Sequence, residues 1–252
     1  ATRGFPNRFD TTATGIVLAD PVSGVAWTAP FFQILALSYK PNHVIAALPD
    51  SQSLRIAGQT LDIVSEAMRA SVVVEAGTAL TLDRTSFVAK TAQVTSTAGW
   101  RVALKDARFA TRQSGDDFAH DVGIAATDIV LPDAFRASVD PGGLMPDRLD
   151  GVRLDATLGL DQPVDRHTLG GGPPPRVERF VLNAATLSWG DIALSATGAV
   201  DIGADRLPVG DITFAVTQWR EVAQMVAVSG LVAPAYAPTI QALFQSLAEA
   251  DG

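Results

Sequence analysis

The chain of 252 residues contains no cysteine, which excludes disulfide bonds, thiolate metal ligands and cysteine nucleophiles. Charge is also scarce: 18% of the residues are charged, against about 25% in an average globular protein. Apolar residues make up 47%. A chain of this length can bury a sizeable core without cross-links or metal ions. The composition therefore predicts either an unusually large core or an apolar groove.

Basic patches and long apolar runs are missing as well. The formal net charge is −8 and no run of five like charges occurs, so the chain lacks the basic surface that nucleic acid requires. No window approaches the ~18 apolar residues of a membrane span, and no signal peptide is present. The chain begins at Ala1 without methionine. We therefore predict that a targeting or anchoring segment has been removed.

Motifs for catalysis are equally absent: there is no G-x-S-x-G elbow, P-loop, H-E-x-x-H or glycine-rich dinucleotide fingerprint. We predict no enzymatic activity, no catalytic residue, no cofactor and no metal site. Histidines are the remaining candidates. His43 lies at a predicted polar hairpin corner, 39–43, and His167 precedes a glycine–proline loop. His120 lies among aspartates that could hold a divalent ion, although a solvated loop between strands is the preferred interpretation.

The sequence is rich in alternating apolar and polar residues. Alternation runs through 154–161, 192–202 and 212–216, and a period of two places the apolar members on one face of a sheet. Short breaks containing Gly, Pro, Asp or Ser favour antiparallel hairpins. The prediction is a mainly β (α+β) fold, a long curved antiparallel meander or half-barrel. Noisier strand segments are predicted at 9–19, 54–64, 68–75, 79–83, 87–95, 100–110, 122–130 and 180–189.

Helical patterns are few. Residues 219–229 and 238–249 are predicted to form two C-terminal amphipathic helices, and 132–139 a weaker helix or turn. The GGGPPP segment at 170–175 predicts a loop, because proline cannot donate to a strand ladder. We interpret 1–252 as a single domain, with a subdivision near this loop as the alternative.

Several segments resemble the alphaproteobacterial domain-of-unknown-function family 2125. They are RGFPNRFD (3–10), AWTAPFFQILALSYKPNHVIAALP (26–49), SEAMRAS (65–71), GVRLDATL (151–158), LSWGDIALSATGAV (187–200) and GDITFAVTQWREV (210–222). The resemblance implies a periplasmic domain tethered to the inner membrane by an N-terminal helix. It implies no catalytic residue, because the family has no assigned activity. Residues 194–216 are more loosely similar to AsmA-like envelope proteins, which implies a long curved sheet with an apolar concave side and a link to lipid movement.

The segment 29–50 has apolar side chains on both faces of its first run. Two helices of eleven residues span only ~17 Å each and cannot cover a meander of ten or more strands. The surplus apolar face must close on itself or line a groove. We predict that a groove binds a lipid or another apolar molecule; a scaffold module for a protein partner and a hydrolase with a dispersed site are the alternatives. The predicted lining is Trp27, Phe31, Phe32, Ile34, Leu35, Leu37, Tyr39, Trp100 and Trp219, with a polar site at Asn42 and His43.

Overall fold

The computed structural model describes residues 2–3, 7–115, 118–143, 145–203, 205–220 and 222. Fourteen strands in these residues form one antiparallel sheet, which confirms the predicted mainly β class. The strands are β1 (Thr2–Arg3), β2 (Arg8–Ala19), β3 (Ala26–Leu37), β4 (Lys40–Leu48), β5 (Ser51–Ile56), β6 (Gln59–Val64), β7 (Ala67–Val74), β8 (Leu82–Ser96), β9 (Arg101–Gln113), β10 (Ala119–Val130), β11 (Arg148–Leu160), β12 (Val177–Trp189), β13 (Ile192–Ile202) and β14 (Pro208–Val216).

The sheet is a meander, because strands that follow one another in the chain pair with one another along its length. The strands between β3 and β8 depart from this order. β4 and β5 both pair with β3, and β6 and β7 both pair with β8. The register against β8 continues without a shift from Leu61↔Ser96 through Ala67↔Lys90. β4 and β5 are therefore the two halves of one interrupted strand, and β6 and β7 are the two halves of another. These two interrupted strands lie side by side between β3 and β8.

Two short helices interrupt the meander. α1 (Asp133–Val139) confirms the weaker of the sequence predictions, and α2 (Arg166–Leu169) was not predicted. Neither is long and apolar enough to cross a membrane. Residues 219, 220 and 222 are helical, but the rest of the two predicted C-terminal helices lies outside the described residues. The loop at 170–175 separates β11 from β12, and these two strands pair directly.

Two strand predictions are wrong. The segment 54–64 was expected to be one strand, but it contains the end of β5, a turn at Ala57 and Gly58, and β6. The segments 79–83 and 87–95 were expected to be separate strands, but residues 82–96 form the single strand β8. Arg84 and Ser86 lie between the two predicted segments. Both are exposed residues of a regular alternation in which Thr85 and Phe87 point to the more buried side.

Burial is unusually shallow for a chain this long. Among the described residues, Pro49 is the one large side chain with less than 2% exposure. The better-packed cluster joins Val139 of α1 to Leu149 and Trp189 of the sheet. A second cluster, around Ala156, Leu182 and Ala196, packs within the described residues against Leu154, Phe180, Ala185 and Ile212 of the sheet itself. The described part of the chain is thus largely one layer thick.

Candidate functional site

Cross-strand register assigns each side chain to one of two faces, because paired residues point to the same side of a sheet. Two rows of paired residues can be followed from β2 to β14 on one side, which we call the apolar face. The first row is Phe9, Ala36, Val44, Val72, Thr85, Thr111, Val122, Ala156, Leu182, Gly198 and Ile212. The second row is Thr11, Ile34, Ala46, Ala70, Phe87, Phe109, Ile124, Leu154, Ala185, Ala196 and Phe214.

The opposite side, which we call the polar face, has a different composition. One of its rows runs through the pairs Thr12, Gln33, Ala47, Arg69, Val88, Arg108, Ala125, Arg153, Thr186, Ser195 and Ala215. Ion pairs also lie on this side, including Arg112 Nη2 to Asp121 Oδ2 at 2.9 Å. The traced rows therefore differ in character: the two apolar rows contain no charged residue, and the polar row contains Arg69, Arg108 and Arg153.

The apolar face is only half-buried. Ile34, Phe109 and Ile124 keep 37%, 38% and 40% of their surface exposed. Among the described residues outside the strands, α1 and Met145 pack near Trp189. The segment after β11 reaches across to β8, where Leu82 N–H donates to the carbonyl oxygen of Val164. A half-exposed apolar surface that crosses eleven strands could bind an apolar molecule.

The structure divides the predicted groove residues between both faces. Ile34 lies in the second apolar row, and the ring of Phe32 contacts that of Trp27 edge-on with centroids 5.7 Å apart. Leu35 pairs with Asp10 and Ile45 on the polar face, and Phe31 takes the same side. Alternation along β3 forces this division, because neighbouring residues in a strand point to opposite sides.

The other predicted groove residues are spread over the sheet. Leu37 is the last residue of β3, and Tyr39 is exposed in the turn that follows. Trp100 donates its indole N–H to Gln59 Oε1 at 3.1 Å. Trp219 lies beyond β14, where the guanidinium of Arg220 stands 4.6 Å from its ring centroid. Trp100 lies opposite Ser96, and the pairs Trp27↔Leu54, Leu54↔Leu61 and Leu61↔Ser96 place it on the same side of the sheet as Trp27.

The predicted polar corner is wrong in position. The turn is formed by Ser38 and Tyr39, and both Asn42 and His43 lie inside β4, because pairing begins again at Lys40. Asn42 Nδ2 donates to the carbonyl oxygen of Val74 at 2.8 Å, and His43 Nε2 shares a hydrogen bond of 2.9 Å with Ser71 Oγ. These bonds join β4 to β7. The two polar side chains have structural partners here.

His120 was expected in a solvated loop, and this expectation is also wrong. It lies in β10 on the apolar side, where it pairs with Gln113 and Leu158 and is only 5% exposed. Its Nδ1 has no hydrogen-bond partner among the described residues. Burial lowers the pKa of His120, while the negative charges of Asp121 and Asp83 oppose this shift. No group of three potential metal ligands occurs in the described part of the chain.

The burial of His120 makes the stability of the fold pH-dependent. Its pKa is lowered in the folded state, so the unfolded chain binds the proton more readily. The free energy of unfolding should therefore fall as the pH drops through about 6.5, the ordinary histidine value. Urea unfolding at pH 7.5 and 5.5 measures this loss, and His120→Leu should remove most of it. His43→Gln is the matched control and should keep it; equal pH dependence in wild type and His120→Leu would contradict the assignment.

The residues that sequence reasoning missed are the centre of the apolar face, such as Phe87, Phe109, Ile124 and Leu182. Their strands were predicted, and alternation showed which residues of each strand share its apolar side. Which side chains stand next to one another depends on register between strands, which a single sequence does not show.

The apolar face is thus the candidate site. Comparison with known proteins identifies a family, and that family is described as uncharacterized. No curated protein matches the chain, and no solved structure matches it. The looser resemblance to AsmA-like proteins therefore stays a prediction. The whole chain, residues 1–252, matches one bacterial family, and the protein belongs to DUF2125, described as an uncharacterized protein conserved in bacteria.

Proposed function

We propose that the protein is a non-enzymatic component of the bacterial cell envelope that binds lipids or other apolar molecules on the apolar face. The observation that carries the proposal is the pair of uninterrupted rows across eleven strands, with one residue from each strand in each row. Strands lie about 4.8 Å apart, so ten spacings make this surface about 48 Å long.

The size of the surface supports a binding role. A third row of pairs lies beside the second and includes Met68, Ala89, Ala107, Ala126 and Val152. The two full rows are about 14 Å wide and the third extends over five strands, so the rows occupy a footprint of roughly 800 Å². The exposed part is smaller, because Ala156, Leu182 and Ala196 retain 1%, 7% and 6% of their surface. Exposed apolar patches of about 300–600 Å² are often functional.

The absence of charge from this surface favours an apolar ligand. The two full rows contain no Asp, Glu, Lys or Arg, and their polar members are threonines. The hydroxyl groups of Thr85 and Thr111 form a hydrogen bond of 2.9 Å with each other. A protein partner would be expected to meet a charged rim or an arginine-rich hot spot, whereas hydrocarbon needs neither. Periplasmic location and an inner-membrane anchor belong to the same proposal and rest on the family resemblance.

Binding can be tested with purified protein. Organic extraction followed by mass spectrometry should recover lipid, and a fluorescent fatty acid should bind in titration. Phe109→Asp should weaken that binding at least tenfold, because a carboxylate on the apolar face must be desolvated when hydrocarbon covers it. The control is Ala110→Asp, which introduces the same charge one residue further along β9 on the polar face and should change binding less than twofold.

The proposal fails if neither extraction nor titration of the wild type detects a lipid. If Phe109→Asp binds as well as the wild type, lipid binds elsewhere on the protein. If no lipid binds but a dye for exposed apolar surface still binds the protein, the apolar face is the docking surface of a scaffold module for a protein partner.

A further inference from the structure

The connection between β11 and β12 is longer than the two strands require. Leu160 and Val177 pair directly, so a turn of two residues could join strands in this arrangement. Residues 161–176 lie between them instead, and their first half reaches past two neighbouring strands. We call residues 161–168 the strap.

Two backbone hydrogen bonds fix the strap beside β8. Leu82 N–H donates to the carbonyl oxygen of Val164 at 2.8 Å. Arg166 N–H donates to the carbonyl oxygen of Ala79 at 3.0 Å. Because β9 and β10 separate β8 from β11 in the sheet, a chain that leaves β11 must cross both strands to make these contacts.

The path of the strap is nearly straight. From β11 to the side of β8 it covers two to three strand spacings, or about 10–14 Å. The chain from Leu160 to Val164 reaches at most about 14 Å when it is fully extended. Leu160 N–H also donates to the carbonyl oxygen of Phe118, just before β10. The strap therefore crosses the ends of β10 and β9 with little slack.

His120 lies where the strap crosses β10. It is the second residue of this strand and lies on the apolar side, next to Val122 of the first row. Its exposure is 5%, whereas Phe109 and Ile124 elsewhere on the apolar face keep 38% and 40%. A side chain on one face of a sheet is buried to this extent only when another segment covers it. Among the described residues, the strap is the segment that crosses β10 at this end, and its Pro163 is itself half-buried.

In the described part of the chain, no carboxylate forms an ion pair with His120. Its Nδ1 has no hydrogen-bond partner there. The register of β8 and β9, extended by one residue, places Asp83 opposite Gln113, and Gln113 pairs with His120. Asp83 is thus two strand spacings away, or about 10 Å. Asp121 points to the polar face, where the guanidinium of Arg112 binds it.

The carboxylates of the strap have other partners. Asp161 Oδ2 accepts a hydrogen bond of 2.8 Å from Nε of Arg176. Asp165 Oδ1 accepts the backbone N–H of His167 at the start of α2. The side chains of Arg166 and His167 can add only positive charge. A proton on the buried imidazole beneath the strap would therefore be a poorly compensated charge.

We infer that the strap is a pH-dependent cover over one end of the apolar face, and that it leaves β8 when His120 takes up a proton. A poorly compensated charge in a buried site is costly, and opening the strap lets water reach the imidazole. Burial lowers the pKa of His120, so the proton binds more readily when the strap is open. The open state should therefore gain population as the pH falls below about 6.5.

The strap can open while the sheet stays folded. Two backbone hydrogen bonds hold it to β8, whereas the strands that it crosses pair with their neighbours over many residues. Segments with few such contacts open locally at a lower free energy than the whole fold. Release of the strap does not depend on the proposed lipid binding. Its consequence does, because the apolar face would offer a larger surface to a ligand at acidic pH.

Hydrogen exchange without denaturant measures the opening. After correction for the intrinsic effect of pH, a peptide covering 161–169 should exchange at least threefold faster at pH 5.5 than at pH 7.5, with an upper limit of about tenfold. A peptide from β13 should keep its protection. His120→Leu should make exchange of the strap equal at the two pH values, and His43→Gln should behave like the wild type.

A second pair of variants opens the strap at neutral pH. Arg166→Pro removes the N–H that donates to Ala79, and proline is tolerated at the first position of α2. Exchange of the strap should rise about fivefold at pH 7.5, as expected for one lost hydrogen bond. Arg166→Ala keeps the N–H and should stay within twofold of the wild type. If His120→Leu does not fold, the wild type and this pair decide the outcome.

An uncharged apolar probe tests the consequence for binding. Diphenylhexatriene has no titratable group, so its own charge does not change with pH. Its affinity for the wild type should be at least threefold higher at pH 5.5 than at pH 7.5. His120→Leu should remove this difference, and Arg166→Pro should raise the affinity already at pH 7.5.

The outcomes separate this inference from the proposed function. If strap exchange rises at pH 5.5 but the probe binds at neither pH, strap release stands and the proposed binding of apolar molecules fails. If the probe binds and strap exchange is independent of pH, the proposed function stands and this inference is overturned. Equal acceleration of exchange in the strap and in β13 would mean global unfolding, which also overturns it.

Discussion

Replacing Gly198 with alanine should destabilise the β13–β14 end of the sheet by about 2–4 kcal/mol, because the new side chain has no space. Gly198 has a φ of +154°, and a Cβ there would lie 2.1 Å from the carbonyl oxygen of Asp211. Gly210 on the partner strand is its mirror, with a φ of +152° and a Cβ position 2.1 Å from the carbonyl oxygen of Ala199. In each case the opposing atom belongs to the backbone, which cannot rotate aside.

Urea unfolding monitored by tryptophan fluorescence measures this loss, and Gly210→Ala should show a similar one. Gly123→Ala in β10 is the matched control, since a Cβ at Gly123 meets nothing within 4 Å and its φ is ordinary. That change should be neutral or stabilise by about 0.5 kcal/mol, because it restricts the unfolded chain. Equal effects at Gly198 and Gly123 would show that β13 and β14 do not approach as closely as the structure has them.

The glycine pair also shows what a strand pattern conceals. Gly198 occupies an apolar position in the alternation of 192–202, and it stands between Leu182 and Ile212 in the first row of the apolar face. From the sequence it reads as a small apolar residue. Glycine is required at this position because the backbone of β14 at Asp211 leaves no space for a Cβ atom. The sequence of β13 alone does not show how closely β14 approaches.

Much of the fold was predictable because alternation is a local property. The predicted strand at 192–202 coincides with β13, the one at 154–161 follows β11 to its last residue, Leu160, and the helix or turn at 132–139 corresponds to α1. Predictions failed at two strand boundaries. The segment 54–64 contains Ala57 and Gly58, whose positive φ angles turn the chain between β5 and β6, and residues 84–86 continue β8 instead of interrupting it. The strand predicted at 122–130 lies within β10, although Asp128 has a positive φ of 50°.

The candidate site was less predictable than the fold for the same physical reason. A sequence shows which residues of β3 are apolar, but Phe32 and Ile34 face one side while Phe31 and Leu35 face the other. The apolar character of segment 29–50 on both faces therefore has two sources. One is the long apolar face, and the other is a small apolar group on the polar face where Leu35 pairs with Ile45. Register between strands separates the two.

Replacing Trp189 with alanine should lower the free energy of unfolding by about 3–5 kcal/mol, as expected for removing a buried tryptophan. Trp189 is 6% exposed and packs with Leu149 and with Val139 of α1. Its indole N–H donates to the carbonyl oxygen of Pro146 at 2.8 Å, which fastens the segment after α1 to the sheet. The variant loses both the packing and the hydrogen bond.

The control for Trp189→Ala is Phe214→Ala, an aromatic residue on the same side of the sheet with 65% of its surface exposed. This change should shift stability by no more than about 0.5 kcal/mol, because little packing is lost. Trp189→Ala should also increase the fluorescence of a dye that binds exposed apolar surface, since α1 covers part of the apolar face near β11 and β12. If the two variants unfold at the same urea concentration, α1 does not hold that part of the face closed. The apolar face would then be uncovered at β12 in the wild type as well.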